Sequence, residues 1–137
     1  MNCKKVEFVG DLSLWNTKNI ENMSRVFSDC LNLKSVKGVN NWDTSNVTNM
    51  SYLFNNCDAI SKSMPEISQW NTQKVTDMSY LFAECHGIDS LIDVEKWDVS
   101  NVTKMDFLFL NLKKITNLSN ITNWNVSKVT SMAGLFD

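Results

Sequence analysis

Apolar positions in this chain recur with a long and nearly constant period. Tryptophans stand at Trp15, Trp42, Trp70, Trp97 and Trp124, at intervals of 27, 28, 27 and 27 residues. Five residues after each comes Ile20, Val47, Val75, Val102 or Val129, and eight after comes Met23, Met50, Met78, Met105 or Met132. An aliphatic–Phe pair follows: Val26-Phe27, Leu53-Phe54, Leu81-Phe82, Leu108-Phe109, Leu135-Phe136. Fifteen residues on stand Cys30, Cys57, Cys85 and Leu112, and eighteen on Leu33, Ile60, Ile88 and Ile115. A further apolar pair closes each period, at Val36/Val39, Met64/Ile67, Leu91/Val94 and Leu118/Ile121. Cys3, Val6, Val9 and Leu12 carry the register back ahead of Trp15.

A unit of this size cannot bury its own apolar side, so such units are stable only when stacked into an array. The pattern predicts one repeat domain over 1–137. It divides into a partial repeat 1–14, repeats 15–41, 42–69, 70–96 and 97–123, and a partial repeat 124–137. The expected fold is a repeat solenoid, a β-rich or α/β coil of about five turns. Identical residues would then form ladders of Trp, Met, Phe and Cys.

Within a turn, Met50, Leu53, Phe54 and Cys57 lie at the i, i+3, i+4, i+7 spacing of a short helix or 3-10 turn, with Ser or Thr ahead of it as N-cap. The β-branched Asn-Val-Thr and Lys-Val-Thr stretches predict short parallel strands, and Leu33 to Val39 a second extended piece. The Trp-Asn/Asp-Thr segments predict turns held by side-chain-to-backbone hydrogen bonds. Repeats left open at Cys3–Leu12 and Met132–Phe136 are templates for strand pairing, so an end-to-end homodimer is expected.

Composition narrows the function classes. Net charge is −2, and no Lys/Arg run supplies the basic stripe that neutralising nucleic-acid phosphates needs. No apolar run approaches the roughly 20 residues of a membrane span. The start Met-Asn-Cys-Lys-Lys-Val-Glu-Phe lacks the basic-then-apolar layout of a signal peptide. With one proline and four glycines among 137 residues, the chain reads as ordered.

The stretches WDTSNVTNMSYLF, WNTQKVTDMSYLF and WDVSNVTKMDFLF closely resemble the W-[DN]-[TV]-S-N-V-T-x-M-x-x-[ML]-F repeat of BspA-like leucine-rich-repeat surface proteins, found in bacteria and in mycoplasma surface lipoproteins. The resemblance runs through the whole chain. It implies a right-handed leucine-rich-repeat-like solenoid, and a cell-surface or secreted protein that works by adhesion to a macromolecular partner, a host extracellular or surface protein. Repeats of that family run to about 25 residues with a Leu-x-Leu strand, whereas here the corresponding positions are Val36-x-x-Val39. An intracellular interaction scaffold or a structural stalk of the same fold is the alternative.

No catalytic group, cofactor or metal is expected. His86, the one histidine, has no nucleophile or carboxylate that the repeat would hold beside it, and reads as a surface-loop residue. The column Asn16, Asp43, Asn71, Asp98, Asn125 offers one oxygen-bearing side chain per repeat, too few to converge on calcium, and suits turns instead. Cys3, Cys30, Cys57 and Cys85 share a slot that accepts Leu112, so they are expected as buried free thiols. The Asn-x-Thr triplets, such as Asn46-Val47-Thr48, are glycosylation acceptors only by pattern and arise from the repeat. Variation is concentrated ten residues after each Trp, at Arg25, Tyr52, Tyr80 and Phe107, with Gly134 last. This row beside the buried Leu-Phe pair is the candidate partner-binding stripe, of the composition enriched at interfaces. Thr48, Thr76, Thr103 and Thr130 form a polar face nearby.

Overall fold

The computed structural model describes residues 3–60 and 67–137. Residues one period apart lie side by side and are hydrogen-bonded, so the unit read in the sequence is the unit of packing. Regular secondary structure is sparse. Two short strands, β1 (Phe8–Asp11) and β2 (Ser35–Lys37), pair in parallel. Four residues of β1 oppose three of β2, and the extra residue is taken up where Gly10 adopts φ +76°, a conformation favoured by glycine. Elsewhere the strand expected at Asn-Val-Thr shrinks to a single parallel bridge per repeat, running Asn22–Asn49–Asp77–Lys104–Ser131.

The helix expected over Met50–Cys57 does not form. Its place is taken by overlapping four-residue turns that advance two residues at a time. In the Trp15 repeat Val26 N–H donates to the Met23 carbonyl, Ser28 to Arg25 and Cys30 to Phe27. The intervening N–H groups point to the next repeat: Met23 to Asn49, Arg25 to Ser51, Phe27 to Leu53 and Asp29 to Asn55. The same two sets recur in the following repeats, as in Phe54 to Leu81 and Phe82 to Leu108. An α-helix would use every interior N–H within itself and leave none to join neighbours. Splitting the donors equally keeps an apolar face at helical spacing while stitching the repeats together.

That path demands two left-handed residues per repeat. Positive φ occurs at Arg25, Tyr52, Tyr80 and Phe107, with Gly134 in the same column, and at Asp29, Asn56, Glu84 and Asn111. Branched side chains clash there, whereas Asn, Asp and Gly tolerate it. Three single-turn 3-10 helices are seen among the described residues, at Val39–Asn41, Ile92–Val94 and Ser119–Ile121. They lie just ahead of the next Trp, not after the Met where a 3-10 turn was the alternative to the helix.

The core is the set of ladders read from the sequence. Met23, Met50, Met78 and Met105, Phe27, Phe54, Phe82 and Phe109, and Cys30, Cys57 and Cys85 are all buried. Phe27, Phe54, Phe82, Phe109 and Phe136 stack in sequence at centroid distances of 5.3, 5.9, 6.2 and 5.6 Å. Trp42, Trp70, Trp97 and Trp124 each donate the indole N–H to a carbonyl in an earlier repeat, at Leu12, Val39, Ile67 and Val94. Burial lapses at the first tryptophan, with Trp15 57% exposed against 6% for Trp42. Met64, expected in the core, lies outside the described residues.

Candidate functional site

The four stripe residues are brought together in one continuous row. The Arg25 guanidinium sits 4.0 Å from the centre of the Tyr52 ring. Tyr52 stacks on Tyr80 at 4.5 Å and 6°, and Tyr80 on Phe107 at 4.9 Å and 29°. Backbone hydrogen bonds between repeats fix the interval, Arg25 N–H to the Ser51 carbonyl, Tyr52 to Ser79, Tyr80 to Asp106 and Phe107 to Ala133. The row ends at Gly134, where any Cβ would stand against the Phe107 ring. Burial among these rings, and then the neighbouring Tyr52, push the Tyr80 phenol above its ordinary pKa.

Stacking of this kind covers ring faces and leaves edges and phenol oxygens toward solvent, while a cation closes the open face at Arg25. The rings are half-buried and Arg25 is exposed. The arrangement can offer edge contacts and hydrogen bonds along a straight line. The absence of branched aliphatics from this column has a backbone cause, the left-handed conformation.

The threonine column is tied into the framework. Thr48, Thr76, Thr103 and Thr130 each donate a hydroxyl to a carbonyl of the preceding repeat, at Glu21, Thr48, Thr76 and Thr103. Buried Thr17, Thr44 and Thr72 bond forward to the carbonyls of Asp43, Asn71 and Asp98, a ladder the sequence reading did not single out. The residues after Trp form turns as expected: Asp43 accepts from the Ser45 N–H at 3.0 Å and Asp98 from the Ser100 N–H at 2.9 Å. The Ser45 hydroxyl and then its backbone N–H hold the Asp43 carboxyl below the ordinary value, and Ser100 does the same for Asp98.

All four cysteines are free thiols, with Cys30, Cys57 and Cys85 buried. Cys57 and Cys85 donate to the Phe27 and Phe54 carbonyls, each at 3.0 Å. Burial pushes the Cys30 thiol up to about 11 and that of Cys85 to about 12, and raises Cys57 as well.

His86 departs from its expectation. Its Nδ1 lies 2.7 Å from Asp58 and its Nε2 3.2 Å from Glu84, whose other oxygen accepts from Asn111. Asp58 occupies the same column as His86 one repeat earlier, so the period did supply a carboxylate. Reading that column downward would have found it. Cys85 is directed into the core while His86 is engaged at the surface, so the two are not paired.

Repeated ladders, cross-repeat hydrogen bonding and one continuous surface row define a repeat protein. Residues 1–92 and 58–137 each match the family described as Mycoplasma protein of unknown function, DUF285, and the chain belongs to that family. No curated protein matches it. Among solved structures, a leucine-rich repeat protein from Eubacterium ventriosum is similar at 18% identity and a TM-score of 0.37. The match covers 79% of this chain and 39% of that one, so the chain spans well under half of that protein's length.

Proposed function

We propose that the chain is a leucine-rich-repeat-like solenoid of about five turns, BspA-like in its repeat, that acts without catalysis as a protein-binding module. In this reading it serves adhesion at a bacterial cell surface, and its partner is a host extracellular or surface protein. The observation that carries the reading is the row Arg25–Tyr52–Tyr80–Phe107, stacked at 4.0 to 4.9 Å and fixed by hydrogen bonds between repeats. A row already held in one arrangement loses little conformational entropy on binding, so its contacts convert more fully into affinity. Tyr and Arg are the residues most often found to dominate such interfaces.

The test is binding of the purified chain to a panel of extracellular-matrix proteins and to host-cell surfaces. It is run beside a variant carrying Tyr52→Ser, Tyr80→Ser and Phe107→Ser. Binding by the parent and at least tenfold weaker binding by a folded variant is the expected result. Equal binding by both would move the site off the row, and binding by neither would remove the adhesive reading.

A further inference from the structure

The cysteine column lies inside the array and makes one contact twice. Cys57 donates its thiol to the Phe27 carbonyl and Cys85 donates to the Phe54 carbonyl, each at 3.0 Å. Both residues are buried, and so is Cys30 one repeat before them. Because the two contacts are alike and one repeat apart, the Cys57 and Cys85 sulfurs are separated by the interval between repeats, about 4.8 Å as between paired strands. The parallel bridge from Asn49 to Asp77 joins the same two repeats. We infer that neighbouring thiols of this column, Cys57 with Cys85 and Cys30 with Cys57, form a linear two-sulfur site for a soft monovalent metal ion of the copper(I) class.

Magnitudes decide against the other uses of paired thiols. A disulfide needs its sulfurs about 2.0 Å apart and its Cβ atoms within about 4.5 Å, so the interval between repeats would have to shrink. Zinc takes four ligands in a tetrahedron, whereas a straight column gives an ion two neighbours. Among the described residues, no three His, Cys, Asp or Glu side chains are grouped as such an ion requires. A metal–sulfur bond is about 2.3 Å long, so a straight sulfur–metal–sulfur line spans about 4.6 Å. That is nearly the interval already present. Thiolates select soft ions, and copper(I) accepts two of them in a line.

The surroundings suit the charge. Binding releases two thiol protons to water and leaves two thiolates around one cation, a site with one net negative charge. Burial pushes both thiols up, while the backbone N–H of Cys30 acts on Cys57, and that of Cys57 on Cys85, in the opposite direction. Each sulfur therefore already faces an N–H, the kind of outer donor that steadies a coordinated thiolate in a dry site. The core around the column is apolar and closed to water. An ion enters only when neighbouring repeats part locally, and it leaves as slowly.

The experiment uses the whole reduced chain without oxygen and compares equal numbers of thiols at different spacings. In a Cys3→Ala background, three further changes each leave two thiols. Cys30→Ala keeps the neighbours Cys57 and Cys85, and Cys85→Ala keeps the neighbours Cys30 and Cys57. Cys57→Ala keeps Cys30 and Cys85, two repeats apart. Copper(I) is added against a competing chelator, and the bound ion is examined by X-ray absorption. Both variants with neighbouring thiols are expected to hold copper(I) with two sulfurs as its ligands and to melt at a higher temperature with it than without. The Cys57→Ala variant, shown to be folded by circular dichroism, is expected to bind at least about tenfold more weakly, the size of effect that loss of even an outer partner produces. Cys57→Val repeats that arm with a smaller cavity, since Leu112 shows that the column takes an aliphatic side chain. Equal binding by Cys30 and Cys85 alone overturns the inference, because no two-coordinate ion spans two repeats. So does a folded variant with neighbouring thiols that fails to bind copper(I), or an ion held between two chains.

Discussion

The indole N–H of Trp70 donates to the Val39 carbonyl at 2.8 Å, and that same carbonyl accepts the backbone N–H of Trp42 at 3.1 Å. One buried oxygen thus joins three segments: the 3-10 turn that closes one repeat, the Trp that opens the next, and the Trp after that. Trp70→Phe keeps the stack on Trp42 and Trp97 but removes the second donor. The carbonyl retains one partner, so the expected loss is that of a single hydrogen bond plus some packing, about 1–2 kcal/mol. Urea unfolding checks it, with Trp15→Phe as the comparison. Trp15 is largely exposed, and its change should lower stability by well under half as much.

Stability at the stripe should follow backbone conformation before hydrophobicity. Tyr80 has φ +58°. Valine is the more apolar replacement, yet its branched Cβ is disfavoured in the left-handed region, where Asn is tolerated. Tyr80→Val is therefore expected to be less stable than Tyr80→Asn by about 1 kcal/mol, read from urea midpoints at equal slope. The reverse order would mean that burial of the ring column outweighs the backbone.

How far the sequence could be read depended on the kind of interaction. Burial was legible, because the spacing of Trp, Met, Phe and Cys states which side chains face inward whatever the backbone does. Local conformation was not. Met50, Leu53, Phe54 and Cys57 have helical spacing, but a chain of turns offset by two residues produces the same spacing. The choice between them lay in whether N–H groups serve their own segment or the next repeat. The clue was in the column Arg25, Tyr52, Tyr80, Phe107, Gly134: an unbranched set ending in glycine is the mark of positive φ, and it was read only as a binding stripe. The stripe itself was legible as a row, while its stacked geometry followed only from the distance between repeats. The Asp58–His86 pair was missed because His86 was weighed by its neighbours in sequence, when its neighbour in space stands a full period earlier.

The turn after each Trp gives a prediction with two parts. Asn16, Asn71 and Asn125 stand where Asp43 and Asp98 do, and accept the same backbone bond two residues on. Asp43→Asn should therefore leave stability at pH 7 nearly unchanged. The Asp43 carboxyl is held below its ordinary value of 3.8 by Ser45. A depressed folded pKa means a contribution present above the unfolded pKa and lost as pH falls through the folded one. The parent should lose stability below pH 4 more steeply than the variant, as followed by thermal melts between pH 5 and 2.

The thiol ladder should set the alkaline limit of the fold. Burial raises Cys30 to about 11 and Cys85 to about 12, from an ordinary value of 9.0. Between these values the folded chain keeps protons that the unfolded chain has released. The unfolded state then binds fewer protons than the native state, so stability falls as pH rises. The fall starts near the unfolded value of 9.0 and continues through the folded values. Lys and Tyr also titrate in this range, so the slope of unfolding free energy between pH 8 and 10.5 must be compared in the parent and a Cys85→Ala variant. The variant will be less stable at pH 8, since it leaves a small cavity and the Phe54 carbonyl without its thiol donor. Its slope is nevertheless expected to be shallower by the share of one thiol. An unchanged slope would mean that Cys85 ionises in the folded chain at its ordinary value. In that case a thiol reagent should also label Cys85 in the native protein as fast as it labels the less buried Cys3.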